Sequence, residues 1–174
     1  MKNGELKLVK PTKENTPELE AYKEAISKTA NMHGVSELDV LSVAEWLQKC
    51  EDYWLGINLP DGYVPASQFV AVRQTDGKIV GSVNLRHRLS EHLLNSGGHI
   101  GYMVAHDERQ KGYAKEMLRL CLPEAKKLGI DRVLVTCKKA NEASRRTILA
   151  NGGVLENEIP YNGEILQRYW INNK

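Results

Sequence analysis

Residues 99–114 have the sequence HIGYMVAHDERQKGYA, in which an apolar strand runs into a short basic loop and then into a helix that begins near Gly112. The first main-chain amides of a helix have no partner within it and carry roughly half a positive charge, so this layout suits a phosphate. Gly112 lacks a Cβ and lets the backbone approach phosphate oxygens closely. Ala114 keeps the next exposed position small, while Arg109 and Lys111 add positive charge. An ordinary turn between a strand and a helix would give the same pattern.

Outside this segment, strand and helix patterns alternate along the chain. An Asp-Gly pair between two β-branched runs predicts a hairpin of 69–73 and 79–86. The helix after Gly112 ends near Gly129, and the apolar strand 132–137 that follows implies a right-handed crossover between parallel neighbours. Further elements are predicted as a strand over 5–10, helices over 17–30, 36–50 and 141–150 with a break at 31–34, and a final hairpin of 154–158 and 165–171. We expect one domain over 1–174 with an α/β (α+β) fold: a mixed, mostly antiparallel sheet of six to seven strands with helices on both faces.

The composition excludes several classes of protein. Of 174 residues, 41% are apolar and 26% are charged, which is typical of a folded globular chain. No apolar run reaches the roughly 18 residues of a membrane helix, and the first residues lack the apolar part of a signal peptide, so we expect a cytoplasmic protein that does not contact a membrane. The three cysteines and five histidines lack the spacings of a disulfide framework or a metal site, so we expect no metal. The signatures of triphosphate and dinucleotide binding are also missing.

The charge is divided unevenly, although the net charge is only +2. Residues 14–62 hold ten acidic and three basic side chains, and residues 104–151 hold eleven basic and six acidic ones. A basic half suits a polyanionic cofactor and an acidic half suits a cationic substrate. Solvated helix faces would produce the same division. A nucleic-acid partner is not expected, because the basic half lacks interleaved aromatic side chains that would stack on bases.

Residues 99–114 resemble the pattern of the GNAT superfamily of N-acetyltransferases, which has a strand, a turn and then Gln/Arg-x-x-Gly-x-Gly/Ala. Residues 141–153 resemble the next helix of that family, which starts with Asn and ends just before a glycine-containing strand. Two motifs in the right order and separation are more specific than either alone, and the order of elements is similar over nearly the whole chain. The resemblance implies a sheet with a splayed parallel pair of strands beside Val104, and acyl-CoA lying between them.

The resemblance also implies a set of contacts with acetyl-CoA as the co-substrate. Main-chain groups of Tyr102, Met103 and Val104 would bind the pantetheine arm and polarise the thioester carbonyl. Asn141, with Ser144 in the same helix, would contact the cofactor, and an N-cap role for Asn141 is equally physical and can coexist with this. The pyrophosphate would lie on Arg109, Gln110, Lys111, Gly112, Tyr113 and Ala114.

Enzymes of this kind transfer the acetyl group by direct attack of a neutral amine on the thioester, through a tetrahedral intermediate whose oxyanion a main-chain amide would hold. A primary amine has a pKa of roughly 10, so a base must remove its proton near neutral pH. His99 stands where relatives often have a glutamate, and a histidine titrates in the useful range, although a purely structural histidine fits equally well. Glu91 is a second candidate base. Relatives often protonate the departing thiolate with a tyrosine where this chain has Ile148. The general acid is therefore not assigned: it could be Tyr161, Tyr102 or water, or the thiolate could leave unprotonated.

The acceptor is expected between the two N-terminal helices and the last hairpin. The predicted walls of its site are Trp46, Tyr53, Trp54 and Tyr161, and the nearby acidic surplus favours a small cationic or peptide amine. The alternative is a non-catalytic acyl-CoA-binding sensor or regulatory domain on the same fold, which the missing tyrosine at position 148 supports. The sequence leaves the oligomeric state open, a homodimer included.

Overall fold

The described residues form seven strands and five α-helices. The structure is a computed structural model, and it describes residues 5–27 and 37–174. The elements in chain order are β1 (Leu6–Val9), α1 (Thr16–Ser27), α2 (Val43–Leu55), β2 (Ala66–Arg73), β3 (Ile79–Arg86), α3 (Glu91–Asn95), β4 (Ile100–Val104), α4 (Tyr113–Lys127), β5 (Arg132–Lys138), α5 (Glu142–Leu149), β6 (Gly153–Tyr161) and β7 (Glu164–Asn172).

The strands form two antiparallel sheets, ordered β1-β2-β3-β4 and β5-β7-β6. In the described residues β4 and β5 share no ladder, and the sheets meet through an isolated antiparallel bridge between Gly98 and Val135. A Cβ on Gly98 would lie 2.5 Å from the carbonyl oxygen of Leu134, so only glycine permits this approach. The predicted fold class, with helices on both faces and a strand pair that opens, is confirmed. The expected parallel pairing is not formed among the described residues, because the bridge is antiparallel, and the expected single mixed sheet is divided into two antiparallel ones.

Helices cover both faces of the four-stranded sheet. On one face α4 packs against β1, β3 and β4, and on the other α1 packs against β3 and α2 against β2. Because side chains alternate along a strand, Met103 joins the core beneath α1 and α2, while Tyr102 and Val104 pack on the core beneath α4. The middle of β4 therefore lies between two apolar clusters.

The second helix begins later than the sequence analysis predicts. The side chain of Ser42 accepts a hydrogen bond from the amide of Glu45, and the carboxylate of Glu45 accepts one from the amide of Ser42. This reciprocal cap starts α2 at Val43. Leu38, expected inside the helix, is buried in a 3-10 turn over Glu37–Asp39. The expected break at 31–34, residue 36 and the predicted end of the first helix at 28–30 lie outside the described residues.

Two connections also differ from expectation. The polar segment before β4 contains α3, whose first turn is capped by the side chain of Ser90. The last hairpin is longer than predicted, and its turn residues Asn162 and Gly163 have φ of 49° and 77°, which suits a two-residue hairpin loop. The bounds of α4 were predicted well, since it begins after Gly112 and ends before Gly129.

Candidate functional site

The segment between β4 and α4 contains a run of unpaired main-chain donors. No main-chain amide of residues 110–115 has a hydrogen-bond acceptor within the described part of the chain. Gln110 and Gly112 both adopt the left-handed region, with φ of 61° and 83°. Successive free amides at a turn, followed by the positive end of a helix, form an anion-binding concavity. These residues therefore fit the pyrophosphate that the sequence pattern predicts.

Glu108 ties this loop to the body of the protein and is only 3% exposed. Its carboxylate accepts hydrogen bonds from Arg73 at 2.9 Å, Lys78 at 2.7 Å and Lys111 at 2.8 Å. Burial alone would raise the pKa of Glu108, but the hydrogen bonds from Lys111 and Lys78 outweigh burial and lower it. Since the ammonium of Lys111 is already paired, the main-chain amides are the principal groups left for an anion.

The edge of β4 that faces β5 is open. The amide of Ala105 donates to the carbonyl of Val80, and the carbonyl of His99 accepts from the amide of Arg86, so these two positions bond β3. Alternate residues of an antiparallel strand bond the same neighbour. The main-chain groups of Tyr102 and Val104 therefore face the open edge, which is the arrangement expected for binding the pantetheine arm.

The side chain of Tyr102 links β4 to α5. Its hydroxyl lies 2.7 Å from Oγ of Ser144, and burial raises the pKa of Tyr102 to about 12. Asn141 caps α5, because its Oδ1 accepts a hydrogen bond of 3.1 Å from the amide of Ser144. The N-cap role of Asn141 is confirmed, and its contact with a cofactor stays a prediction.

His99 lies where the two sheets meet and is 6% exposed. Its Nδ1 accepts a hydrogen bond of 2.9 Å from the amide of Leu134, and its ring packs edge-on against Trp170 with centroids 6.4 Å apart. Burial, together with the positive charge of Arg86, lowers the pKa of His99 to about 4. His99 is therefore neutral at pH 7 with its proton on Nε2, because Nδ1 accepts from Leu134, so no ring nitrogen is free to act as the predicted base while that hydrogen bond is kept.

The three predicted catalytic side chains lie apart. Glu91 is exposed in the first turn of α3, and Tyr161 is 38% exposed in the last hairpin. Across the described residues no hydrogen bond or ion pair joins either of them to His99. Ile148 is fully buried, and a Cβ on Gly153 would lie 2.4 Å from its Cγ2. Position 148 therefore belongs to the core, and the roles of the other three residues stay predictions.

A cavity of about 360 Å³ lies between α2, β2 and β3. Trp46 and Tyr53 form part of its wall, and their contact with an acceptor stays a prediction. Trp54 does not line it and packs edge-on against Phe69, with centroids 6.0 Å apart. Of the ten acidic side chains in residues 14–62, all of which the structure describes, Glu37 alone lines the cavity. The acidic surplus therefore lies almost entirely elsewhere.

The sequence analysis missed the polar residues of this cavity. Asn84 and Arg86 of β3 line it, together with Gln68 of β2, which lies opposite Asn84 in the sheet. Nδ2 of Asn84 donates to Oε1 of Gln68 at 3.2 Å. The signal was available, because Ser82, Asn84 and Arg86 alternate with other residues and mark one polar face of a largely buried strand.

A model of the acetyltransferase (GNAT) domain matches residues 5–154. The chain belongs to the GNAT family of acetyltransferases. A search of curated proteins finds no match.

Solved structures with a similar fold extend over almost the whole of this GNAT chain. A GNAT-family acetyltransferase from Bacillus anthracis is 20% identical, with 99% of this chain and 98% of that chain covered and a TM-score of 0.67. The microcin C7 self-immunity acetyltransferase, in complex with acetyl-CoA and AMP, is 18% identical over 98% and 93%, with a TM-score of 0.67. A spermidine N-acetyltransferase chimera from Vibrio cholerae is 15% identical over 98% and 96%, with a TM-score of 0.64. At these identities the likeness establishes the fold alone.

The described residues of the GNAT chain contain no candidate for a membrane helix or a metal site. No helix is both long and apolar enough to cross a membrane. No group of three or more His, Cys, Asp or Glu side chains is arranged to hold a metal ion.

Proposed function

We propose that this chain is an acetyl-CoA-dependent N-acetyltransferase that acts on a primary amine of a small molecule or a peptide. The observation that carries the proposal is the set of unpaired amides over residues 110–115, at the start of α4 and beside the open edge of β4. The similar microcin C7 self-immunity enzyme, whose structure holds acetyl-CoA, supports the choice of co-substrate.

Acetyl-CoA supplies an acetyl group activated as a thioester. The amides of residues 110–115 hold its pyrophosphate, and the left-handed backbone at Gly112 turns them toward one point. Main-chain groups of Tyr102 and Val104 align the pantetheine arm along β4, and the amide of Val104 donates to the oxygen that becomes negative as the amine attacks. The acceptor amine gives up its proton to Glu91, to water, or to Nδ1 of His99 once that nitrogen has released the amide of Leu134.

The proposal is tested with the full chain in two steps. Isothermal calorimetry with acetyl-CoA measures binding, and the release of free CoA thiol over a panel of primary amines measures transfer. We expect saturable binding of acetyl-CoA and amine-dependent thiol release with at least one amine. An absence of heat at concentrations where related enzymes bind would remove the proposal.

One observation favours a second function. Position 148 holds a fully buried isoleucine in place of the tyrosine that relatives use as an acid. A sensor that binds acyl-CoA without transferring the acyl group needs no such acid. Binding of acetyl-CoA without turnover of any amine would favour the sensor over the enzyme.

A further inference from the structure

The cavity between α2, β2 and β3 lies next to the part of β4 that is proposed to hold the thioester. Asn84 in the cavity wall is the cross-strand partner of Gly101, which Tyr102 follows directly. A molecule in the cavity therefore approaches β4 from the side of the sheet that α1 and α2 cover. A volume of about 360 Å³ suits a small molecule or the end of a peptide.

Arg86 brings a partly buried cation to this cavity. Its Nη1 donates to the carbonyl oxygens of Gly97 at 3.2 Å and Gly98 at 3.4 Å, and within residues 5–27 and 37–174 it has no other hydrogen-bond acceptor. Nε and Nη2 remain, and they form the guanidinium edge that pairs with both oxygens of a carboxylate. Nε and Nη2 of Arg86 are not fully buried, because among the described residues Trp170 Nε1 is the one fully buried side-chain nitrogen or oxygen that lacks a partner. These two donors of Arg86 therefore reach accessible space.

No negative charge of the cavity balances Arg86. Glu37, the one acidic side chain among the described residues that line the cavity, is paired with Lys49. Burial lowers the pKa of Arg86, which is the direction expected for a cation held away from water without an anionic partner. An anionic group entering the cavity would supply that partner.

We propose that the acceptor carries a carboxylate in addition to its primary amine, and that Arg86 binds this carboxylate through Nε and Nη2. This inference rests on the proposed function, because it describes the acceptor of the same transfer reaction. Asn84 completes the arrangement: its Nδ2 is used by Gln68, which leaves Oδ1 to accept from the amine. Asn84 and Arg86 share one face of β3 about 7 Å apart along the strand, a span that an amino-acid-like molecule covers.

The arrangement refines the expectation of a cationic acceptor. The amine remains the cationic group, and it reaches β4 near Asn84 and Gly101. An amine without an anion leaves Nε and Nη2 of the partly buried Arg86 without an anionic partner, which costs affinity. Compounds with both groups are therefore preferred over simple amines and over polyamines.

Matched acceptors test the inference in the thiol-release assay. Leucine, leucinamide and isopentylamine share one side chain and differ in the carboxylate, as do phenylalanine, phenylalaninamide and phenethylamine. We expect kcat/KM to be at least about tenfold higher for the amino acids than for either partner, since a hydrogen bond to a charged group is lost in the others. Glycyl-leucine, with its carboxylate one residue further from the amine, distinguishes free amino acids from peptide ends.

Variants at Arg86 connect the preference to the side chain. Arg86→Gln should lower kcat/KM for leucine by about 10- to 100-fold and leave isopentylamine nearly unchanged. Arg86→Lys keeps the charge but lacks the planar guanidinium, so it should give an intermediate loss of kcat/KM for leucine. If Arg86→Gln does not fold, Arg86→Lys is the variant that tests the inference. Arg88→Gln is the matched control, because Arg88 is exposed and does not line the cavity.

Calorimetry with acetyl-CoA separates the two ways of failing. If acetyl-CoA does not bind, the proposed function itself fails. If acetyl-CoA binds and leucinamide or isopentylamine is used as well as leucine, or if both Arg86 variants keep the preference, the carboxylate inference is overturned and the function stands. If no amine is acetylated, the binding of the same compounds is measured instead. Binding of leucine that is tighter than that of leucinamide and isopentylamine, and that weakens in the Arg86 variants, supports the inference. Binding of leucine that is no tighter than theirs, or absent, overturns it.

Discussion

Nδ1 of His99 accepts a hydrogen bond of 2.9 Å from the amide of Leu134, and the amide of His99 donates in return to the carbonyl of Leu134 at 2.7 Å. One residue just before β4 thus satisfies both main-chain groups of a residue in β5. Beside the bridge between Gly98 and Val135, this pair fixes the point from which the two strands diverge. The opening between β4 and β5 begins at a histidine that is held neutral.

This role predicts how stability depends on pH. The pKa of His99 falls from 6.5 to about 4 in the folded state, so between these values the unfolded chain binds more protons. Stability from His99 is therefore complete above about pH 6.5 and decreases as the pH falls toward 4, by about 3 kcal/mol. His99→Asn, whose amide oxygen can still accept from Leu134, should remove this part of the pH dependence. Urea denaturation of both proteins from pH 4 to 8 measures it, and parallel curves would contradict the role.

The same variant separates the structural role of His99 from the catalytic one. With Nδ1 bonded to Leu134 and a pKa near 4, His99 is a weak base, so we expect His99→Asn to keep the shape of the pH profile of kcat/KM. His99→Ala should lose about 1–3 kcal/mol of stability, because the amide of Leu134 is left unsatisfied. A profile whose acid limb disappears in His99→Asn would instead assign the base to His99.

A substitution at Gly112 tests the anion site. Gly112→Ala puts a Cβ on a residue with φ of 83°, which strains the backbone by about 1 kcal/mol and turns the amides of the loop away from one another. We expect the Kd for acetyl-CoA, measured by calorimetry, to rise by about tenfold or more. Free CoA should weaken in parallel, because both ligands carry the pyrophosphate.

The control for Gly112 lies at the other end of the same helix. Gly129 has φ of 76°, and a Cβ there would meet nothing within 4 Å. Gly129→Ala therefore introduces the same backbone strain away from the loop, with a similar loss of stability and an unchanged Kd. Equal effects of the two variants on the Kd would refute the placement of the pyrophosphate.

Glu108 is expected to hold the loop in its binding conformation. Glu108→Gln keeps the shape of the side chain but removes the charge that Arg73, Lys78 and Lys111 share. Because these cations are partly exposed and screened by solvent, we expect a loss of about 1–2 kcal/mol in thermal unfolding, with weaker binding of acetyl-CoA.

An exposed pair provides the comparison for Glu108. Glu124 pairs with Lys127 at 2.8 Å on the surface of α4. Glu124→Gln should change stability by no more than about 0.5 kcal/mol and leave the Kd for acetyl-CoA alone. If Glu108→Gln behaves in the same way, the loop is held by other contacts.

Local patterns predicted most of the fold. Three features depend on a glycine with positive φ, which is visible in the sequence: the Asp-Gly hairpin, the start of α4 after Gly112 and its end before Gly129. The apolar spacing from Leu38 to Cys50 predicts a second helix that starts at residue 36, whereas α2 begins at Val43. The reciprocal bonds of Ser42 and Glu45 decide this later start.

The candidate site was predicted in part, for a related reason. The loop over residues 109–114 is contiguous in sequence, so its pattern could be found. The cavity joins α2, β2, β3 and α3, and whether Arg86 has an ionic partner depends on tertiary contacts. Charge counts over residues 14–62 suggested an acidic site, but a count does not show which side chains face the cavity, and Glu37 is the one that does.

The contact between Tyr102 and Ser144 gives a last prediction, on the acid that protonates the departing thiolate. Burial raises the pKa of Tyr102 to about 12, so its hydroxyl keeps its proton at neutral pH, and it lies beside the open edge of β4 at 2.7 Å from Oγ of Ser144. Tyr102→Phe should lower kcat by about 10- to 100-fold, the range for loss of a general acid, with little change in the Kd for acetyl-CoA. Tyr161→Phe, at a residue that is 38% exposed, tests the other candidate in the same assay. A large loss with Tyr161→Phe and none with Tyr102→Phe would reverse the assignment, because the loss of the acid lowers turnover while cofactor binding is unchanged.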